Sequence, residues 1–472
     1  MTYITLNNRK RFTLLKDVEI SADIVSEAIK LHRNSLFTNY QKNEQMYMSE
    51  HAILKDAPKA AYKPDNRLVI NYAKYIVDTF SGYHIGVPAT VTSDDDTIKD
   101  FVADFRSRND MEDTEFELAK QADIFGHSFL YVYQNEEAET CVTYESPLFM
   151  LIVYDNSIQE RPVFAVRYAF TETEGGVSSQ GYGEVITDSE VIKIEVNQSY
   201  AVTFGDRTSH IYNDLPVIEL IENEERQGIF DSVKTLINAL NKAASEKAND
   251  VDYFADAYLK IIGVELDEEV NQTIRDSRIF NLWSNGDGQQ VDVAFLEKPN
   301  ADTTQENLIT LLKESIFSIS MVANLSAEDF GNASGTALAF KLQAMDNLAK
   351  MKDRKMQSAF NRLYKVVFGV PKTSVPDDGY KELRYQFTRN VPRNILEESQ
   401  IVTQLNGQVS DETKLSVLSI VQNPKDELER LHKEEQEAIK ANQKQLESLR
   451  FDDGQLEQEG DKDDDRLLEK AD

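Results

Sequence analysis

Apolar positions along this chain switch between helical and strand periods, and the clearest run lies at 303–367. From Gln305 to Val322, Leu308, Leu312, Ile316 and Ile319 recur at steps of three and four, which lines one face of a helix. Small polar residues and two glycines, Gly331 and Gly335, then interrupt the pattern over 323–335. Ser334 is suited to cap a second helix, because its hydroxyl can accept from the free amides of the first turn. The seam of that helix passes through Leu338, Leu342, Met345, Ala349, Met356, Phe360, Leu363 and Val367. Its steps are heptad-like, with one position skipped near Lys352. The segment predicts two packed helices joined by a mobile loop.

Upstream, Ser21 starts a short helix over 21–36, and 40–64 reads as a polar connection. Asp65 is suited to cap a helix from Asn66 to Phe80 that Gly82 ends. Two more helices occupy 95–125, the second from Glu112 to Phe125 and stopped by Gly126. The period then drops to two. β-Branched and aromatic residues predict strands at 128–133, 140–144, 150–154 and 163–168 and weaker ones at 183–196 and 199–204, and the run 215–220 closes this block.

A long helix follows from about Phe230 to Ile262, near 50 Å if straight, at about 1.5 Å per residue. Asp267 to Arg275 reads as a small helix. The runs 278–283 and 291–296 flank Ser284-Asn285-Gly286-Asp287-Gly288, a hairpin signal. Near the end, 383–387 predicts a strand rejoining the main sheet. Helices follow at Arg393–Leu405, Asp411–Val421 and Pro424–Leu449, the last opened by the Asn423-Pro424 pair. The fold class is α+β.

A length of 472 residues corresponds to roughly three units of about 150 each. With 41% hydrophobic and 28% charged residues, the chain can build a sizeable core. The net charge of −31 excludes a protein that as a whole grips nucleic acid through cations. It fits plain solubility, and it fits equally a channel wall that DNA slides past without sticking. Cys141 stands alone, so intramolecular disulfides are impossible and a reducing compartment is expected. The first residues lack a signal-peptide core, and no apolar run approaches the roughly 18 residues of a membrane span. A soluble, intracellular chain with no membrane role is therefore expected. Residues 451–472 carry a net charge of −7 and read as a mobile, solvated tail.

No catalytic or metal site emerges. The six histidines show no paired ligand spacing, and Gly331-Asn332-Ala333-Ser334-Gly335-Thr336 lacks the lysine and glycine spacing of a phosphate loop. Asp94-Asp95-Asp96 reads as a wet turn. No enzyme activity, cofactor or metal is expected. One basic island opposes the acidic background: seven cations, Lys341, Lys350, Lys352, Arg354 and Lys355 among them, face two aspartates between Gly335 and Lys365. Either this is a solvated helix face paired with acidic neighbours, or it touches phosphate without sequence preference. Trp283 reads either as the core of a small subdomain or as an interface anchor.

The run from Ser334-Gly335-Thr336-Ala337-Leu338 through Lys350-Met351-Lys352-Asp353-Arg354-Lys355 resembles the loop-and-kinked-helix segment of the portal proteins of tailed double-stranded DNA bacteriophages. The match is closest to the branch typical of long-tailed phages of Gram-positive bacteria. Lys63-Pro64-Asp65-Asn66-Arg67-Leu68 through Gly82-Tyr83-His84-Ile85-Gly86-Val87-Pro88 resembles the family's N-terminal part. The resemblance implies a wing (1–229), a first stem helix (230–263), a helix-plus-hairpin clip (264–301) and a second stem helix (302–322). It further implies a tunnel loop (323–336), a kinked helix returning to the wing (337–392), a helical crown (393–450) and the acidic tail.

By the same resemblance, Asn324, Ser326, Glu328, Asp329, Asn332 and Ser334 touch DNA, and Gly331 and Gly335 act as loop hinges. Lys341, Lys350, Lys352, Arg354 and Lys355 face the channel, and Trp283, Asn285 and Asp287 form a docking surface. The implied assembly is a dodecameric ring at one capsid vertex of the virion, built in the host cytoplasm. Its implied partners are double-stranded DNA, the terminase large subunit, major capsid and scaffolding proteins, and a head-completion adaptor. Two competing readings are a cytoplasmic coiled-coil scaffold with no DNA role and a hydrolase with an unrecognised carboxylate site.

Overall fold

The structure is a computed structural model. It describes residues 2–443 apart from 16–17, 61–62, 174–175, 256–258, 263–278, 283–291, 296–301, 327–334, 372, 392–394, 419 and 422. The chain divides into two units, 1–390 and 391–472.

The first unit opens with two short strands, β1 (Ile4–Leu6) and β2 (Phe12–Leu14). Helix α1 (Ala22–His32) starts at Ser21, whose hydroxyl accepts from the Ile24 amide at 3.4 Å. A five-residue π turn leads straight into α2 (Thr38–Tyr47), so the stretch read as a polar connection is helical in its first half. Tyr40, Asn43 and Met46 bury one side of α2, and their spacing of three suffices to hold a polar helix in place.

The helix expected from Asn66 begins instead at Tyr72, capped by Asn71, and α3 (Tyr72–Ile85) runs through Gly82. Asp65 pairs with Arg67 rather than capping. Residues 66–70 lie extended along α6 (Lys234–Ala255), described below. The amides of Asn66, Leu68 and Ile70 donate to Asn249, Ser245 and Asn241 at 2.7, 2.9 and 2.8 Å. Alternate residues of an extended chain thus meet every fourth residue of a helix, and helical geometry over 66–70 loses to that match.

After β3 (Thr90–Thr92) come α4 (Asp96–Arg108) and α5 (Met111–Phe125). Gly126 ends α5 with φ at +91°. A Cβ there would sit 2.2 Å from the Arg226 carbonyl, so glycine is required twice over.

The strands are β4 (His127–Gln134), β5 (Thr140–Glu145), β6 (Met150–Asp155), β7 (Pro162–Thr173), β8 (Gly176–Ile186), β9 (Glu190–Asn197), β10 (Val202–Ser209) and β11 (Val217–Ile221). They form a seven-stranded sheet, β1-β2-β6-β7-β8-β9-β10, and a three-stranded antiparallel sheet, β11-β4-β5. Leu130, Val132, Ile218 and Leu220 of the smaller sheet pack under α4 and α5. Phe129 and Val217, on its other face, meet Met150, Ile152 and Ala165 of the larger one.

Helix α6 stops at Ala255, about 33 Å of helix rather than 50. Leu259–Ile262, read as its last turn, is the strand β12. β13 (Ile279–Leu282) and β14 (Asp292–Phe295) do not pair with each other as a hairpin. β12 lies between them, parallel to β13 and antiparallel to β14. The helix expected at 267–275 and the turn at 284–288 lie outside the described residues.

Next come α7 (Asp302–Ser320) and α8 (Gly335–Phe368), the latter an unbroken helical run of 34 residues. β15 (Arg384–Gln386) pairs with β3 in a separate two-stranded sheet, not with the main one. In the second unit, α9 (Ile395–Gln404) precedes Gly407, whose φ is +80°. Ser410 caps α10 (Asp411–Val417), and Asn423 accepts from the Lys425 amide at the start of α11 (424–443).

Candidate functional site

Helices α7 and α8 flank the segment 321–334, and the end of α7 is anchored to α3. Tyr72 and Tyr75 of α3 meet Phe317 edge-on, with ring centroids 5.1 and 5.6 Å apart. The Tyr75 hydroxyl accepts from the Leu325 amide at 2.8 Å, so α3 holds the chain where it leaves α7. Asn324 is half-buried and Ser326 exposed. Glu328, Asp329, Gly331, Asn332 and Ser334 lie outside the described residues, as do Trp283, Asn285 and Asp287. Gly335 is the first residue of α8.

Leu342, Met345, Ala349, Met356, Phe360, Leu363 and Val367 are all buried. The position skipped between Ala349 and Met356 is Lys352, and it is buried as well, 1% exposed. The expectation that Lys352 faces a channel is therefore corrected. Its ammonium pairs with Asp123, donates to the Ala119 carbonyl at 2.9 Å and lies 3.0 Å from Glu222. It also stands 5.4 Å over the Phe80 ring. Ser81 donates to the other Asp123 oxygen at 2.7 Å. Burial works against the charged lysine, but the Asp123 and Glu222 carboxylates more than offset it and hold its pKa above the ordinary value. Burial, with the nearby Glu222 charge, pushes Asp123 up.

The other cations of the island are distributed differently. Lys341 is exposed, and Lys350 is exposed and pairs with Asp346 one turn away at 2.7 Å. Lys355 pairs with Glu224, and Arg362 and Lys365 both reach Asp214. Arg354 is exposed. Thus α8 is tied to the residues flanking β11 through its charges as well as its seam.

A second tether uses the acids of the same helix. Asp353 accepts from Arg389 at 2.6 and 3.1 Å and lies 2.9 Å from the His84 Nε2. His84 is stacked between Phe80 and Phe387, and burial pulls its pKa down.

A third buried cluster went unnoticed in the sequence. Arg226 donates to both Glu219 oxygens at 2.7 and 2.8 Å and to the Arg9 carbonyl at 2.9 Å. Glu219 also accepts from Tyr154 at 2.5 Å and meets the His127 Nδ1 at 2.7 Å. The His127 Nε2 lies 2.8 Å from the Tyr40 hydroxyl, and Lys10 donates to the Arg226 carbonyl at 2.5 Å. The β1–β2 turn, α2, β4, β6 and β11 thus converge on one guanidinium. No sequence spacing signals it, since its members come from five separate elements.

Among the described residues no group of three potential ligands stands ready for a metal, and no helix is long and apolar enough to cross a membrane. Helix α7 does present Leu308, Leu311 and Ile319 to solvent, 47, 59 and 52% exposed. Apolar residues repeated along one helix face are what a partner surface covers.

The family described as "Phage portal protein, SPP1 Gp6-like" matches residues 26–441. The portal protein of Clostridium phage phiCD119 is 22% identical over 407 residues, spanning 82% of this chain and 88% of that one. The portal protein of Bacillus phage SPP1 is 26% identical over 395 residues, spanning 79% of this chain and 76% of that one. Among solved structures, a chain of the virion of a native gene transfer agent particle superposes with a TM-score of 0.45 at 10% identity, over 80% of this chain and 93% of that one. A chain from the neck of that native particle, computed with C12 symmetry, gives 0.44 at 12% identity, over 74% and 89%.

Proposed function

This chain belongs to the SPP1 Gp6-like family of phage portal proteins, and from that premise we propose that it forms a closed homo-oligomeric ring through which double-stranded DNA enters and leaves the capsid. The family match over 26–441 carries this reading, and it leaves the coiled-coil scaffold and the hydrolase without support. The exposed leucines of α7 add to it, because one chain alone leaves them wet.

On this reading twelve copies surround the channel at one vertex. The segment 323–336 leans toward the duplex, and its short polar side chains touch phosphate without reading bases. Lys341 and Lys350 stand on α8 close behind it. The acidic remainder repels phosphate and keeps the duplex sliding. The protein has no catalytic role of its own. The terminase large subunit supplies the driving force at 264–301, and the head-completion adaptor later takes that place. Major capsid and scaffolding proteins hold the ring during assembly in the host cytoplasm.

Negative-stain imaging of the purified chain tests the ring: closed annuli are expected, and rods or single compact particles would sink the reading. Packaging tests the loop. With G331V/G335V the two positions lose glycine's backbone freedom, so heads are expected to assemble with rings in place and stay largely empty. Normally filled heads would show that the loop does not need to move.

A further inference from the structure

Helix α8 and the edge strand β11 border an open groove of about 950 Å³, whose lining includes Arg11, Tyr154, Met351, Ser358 and Ala359. Its charged lining is dominated by Arg11, Arg354, Lys355, Arg362 and Lys365. Of its three carboxylates, Glu219 is taken up by Arg226, Glu222 by Lys352 and Glu224 by Lys355. Arg354 makes no ion pair among the described residues. Arg11 pairs with Glu160 and Lys355 with Glu224, while Arg362 and Lys365 share Asp214, so the positive surplus of this lining is Arg354 and the shared half of the Arg362–Lys365 pair, on a chain of net charge −31.

The opposite sign gathers at the other edge of the same small sheet, whose order is β11-β4-β5. There Asn109 accepts from the Val142 amide at 2.9 Å and donates to the Thr140 carbonyl at 3.2 Å, which pins the α4–α5 turn against β5. Asp104, Asp110, Glu112, Asp113, Glu136 and Glu137 are all exposed around that turn. Glu139 joins them, and Arg108, the cation set among them, pairs with Asp104 and Glu139. Burial and then the Glu139 charge push the Cys141 thiol up, which registers the negative field at this edge.

We propose that the basic groove at the β11 edge of one copy receives the acidic ridge at the β5 edge of the next. Because groove and ridge occupy opposite edges of one sheet, their contact is head-to-tail, the type that closes rings, whereas a two-fold contact would set like charge on like. Copies that each carry −31 repel over distance, but that repulsion is screened beyond about 8–10 Å, while the apposed groove and ridge attract at contact. The inference rests on the ring reading and adds which faces meet.

Two charge-reversed variants test it, R354E/K355E in the groove and E136K/E137K on the ridge. Arg354, Glu136 and Glu137 are exposed and Lys355 is half-buried beside Glu224, so each variant is first required to keep the parent's melting midpoint. Each variant alone is expected to shift the population from rings to monomers by native mass spectrometry, at concentrations where the parent chain is closed. The two pairs combined in one chain are expected to restore rings. Rings formed by both single-face variants as readily as by the parent would overturn the pairing. So would a combined variant that stays monomeric, since the groove then holds something else, such as a phosphate chain. If the parent itself never closes, the ring reading fails separately. The pairing is still read from R354C/E137C with C141S, where a ladder of disulfide-linked copies supports it and its absence overturns it.

Discussion

Replacing Lys352 by alanine will destabilise the 1–390 unit by about 3–5 kcal/mol, because two carboxylates then remain in the core without a cation. That is a large share of the roughly 5–15 kcal/mol that holds a typical domain together, so most of the expressed chain is expected to be insoluble. Asp123 is 0% exposed and cannot turn to water for compensation, while Glu222, 8% exposed, borders the open groove. A triple variant, K352M/D123L/E222M, removes all three charges at similar volume, and it is expected to recover most of the loss in urea unfolding. Failure of the triple to recover would place the effect in packing instead of charge.

The pH dependence has a definite sign. Without the lysine, the Asp123 carboxyl, which burial already pushes up, should rise further above the ordinary carboxylate range. A raised folded pKa contributes stability that is present at low pH and lost as pH rises. The K352A deficit should therefore be larger at pH 8 than at pH 5, and a deficit independent of pH would contradict the charge argument.

Lys352 also shows how the sequence signals a site and hides it. The seam of α8 skips one position, and periodicity alone identifies that position as facing the core. Residue type argues the reverse, since lysine is rarely fully buried unless paired. The decision lay with Asp123 and Glu222, more than a hundred residues away, and no local pattern reports them.

The other departures share that cause. Strand period placed β4 through β7, and capping residues placed α1, α5 and α10, because those signals are local. The stretch 66–70 has a helix former's pattern but takes its hydrogen bonds from Asn241, Ser245 and Asn249. β13 and β14 flank a turn signal, yet β12 inserts between them. The two short strands before residue 15 carried no readable role, and they end at the Arg226 cluster. Family membership was legible because it draws on order along the whole chain. The groove was not, since it joins residue 11 to residues 354–365.

Replacing Arg226 by alanine should be comparably severe, about 3–5 kcal/mol, and its effect should be felt first at the N-terminus. The guanidinium connects Glu219 with the Arg9 carbonyl, whereas Lys10 bonds the main-chain carbonyl of residue 226, which alanine retains. Amide exchange across β1 and β2 should therefore accelerate well before exchange in α5 or β4 does. Uniform acceleration would show a global role instead of a local clasp. Lysine at the same position should restore only part of the loss, because one ammonium cannot reproduce the two-pronged contact with Glu219 while also reaching residue 9.

Acid acts on the same clasp. Burial opposes charge on Glu219, but Arg226 and the hydrogen bonds it receives hold its pKa well below the carboxylate range. Burial pulls His127 down as well and keeps it neutral. Depressed folded pKa values contribute stability that is present above the unfolded values, near 6.5 for His127 and 4.5 for Glu219, and that disappears as pH falls through the folded ones. Fraying of β1 and β2 should therefore increase as pH falls below about 6.5, visible as faster proteolysis near residues 7–11. Since Arg11 lines the basic groove, the proposed contact between copies should loosen in that same acid range before the subunit unfolds. Monomer release and global unfolding sharing a single pH midpoint would argue against a clasp that opens by itself.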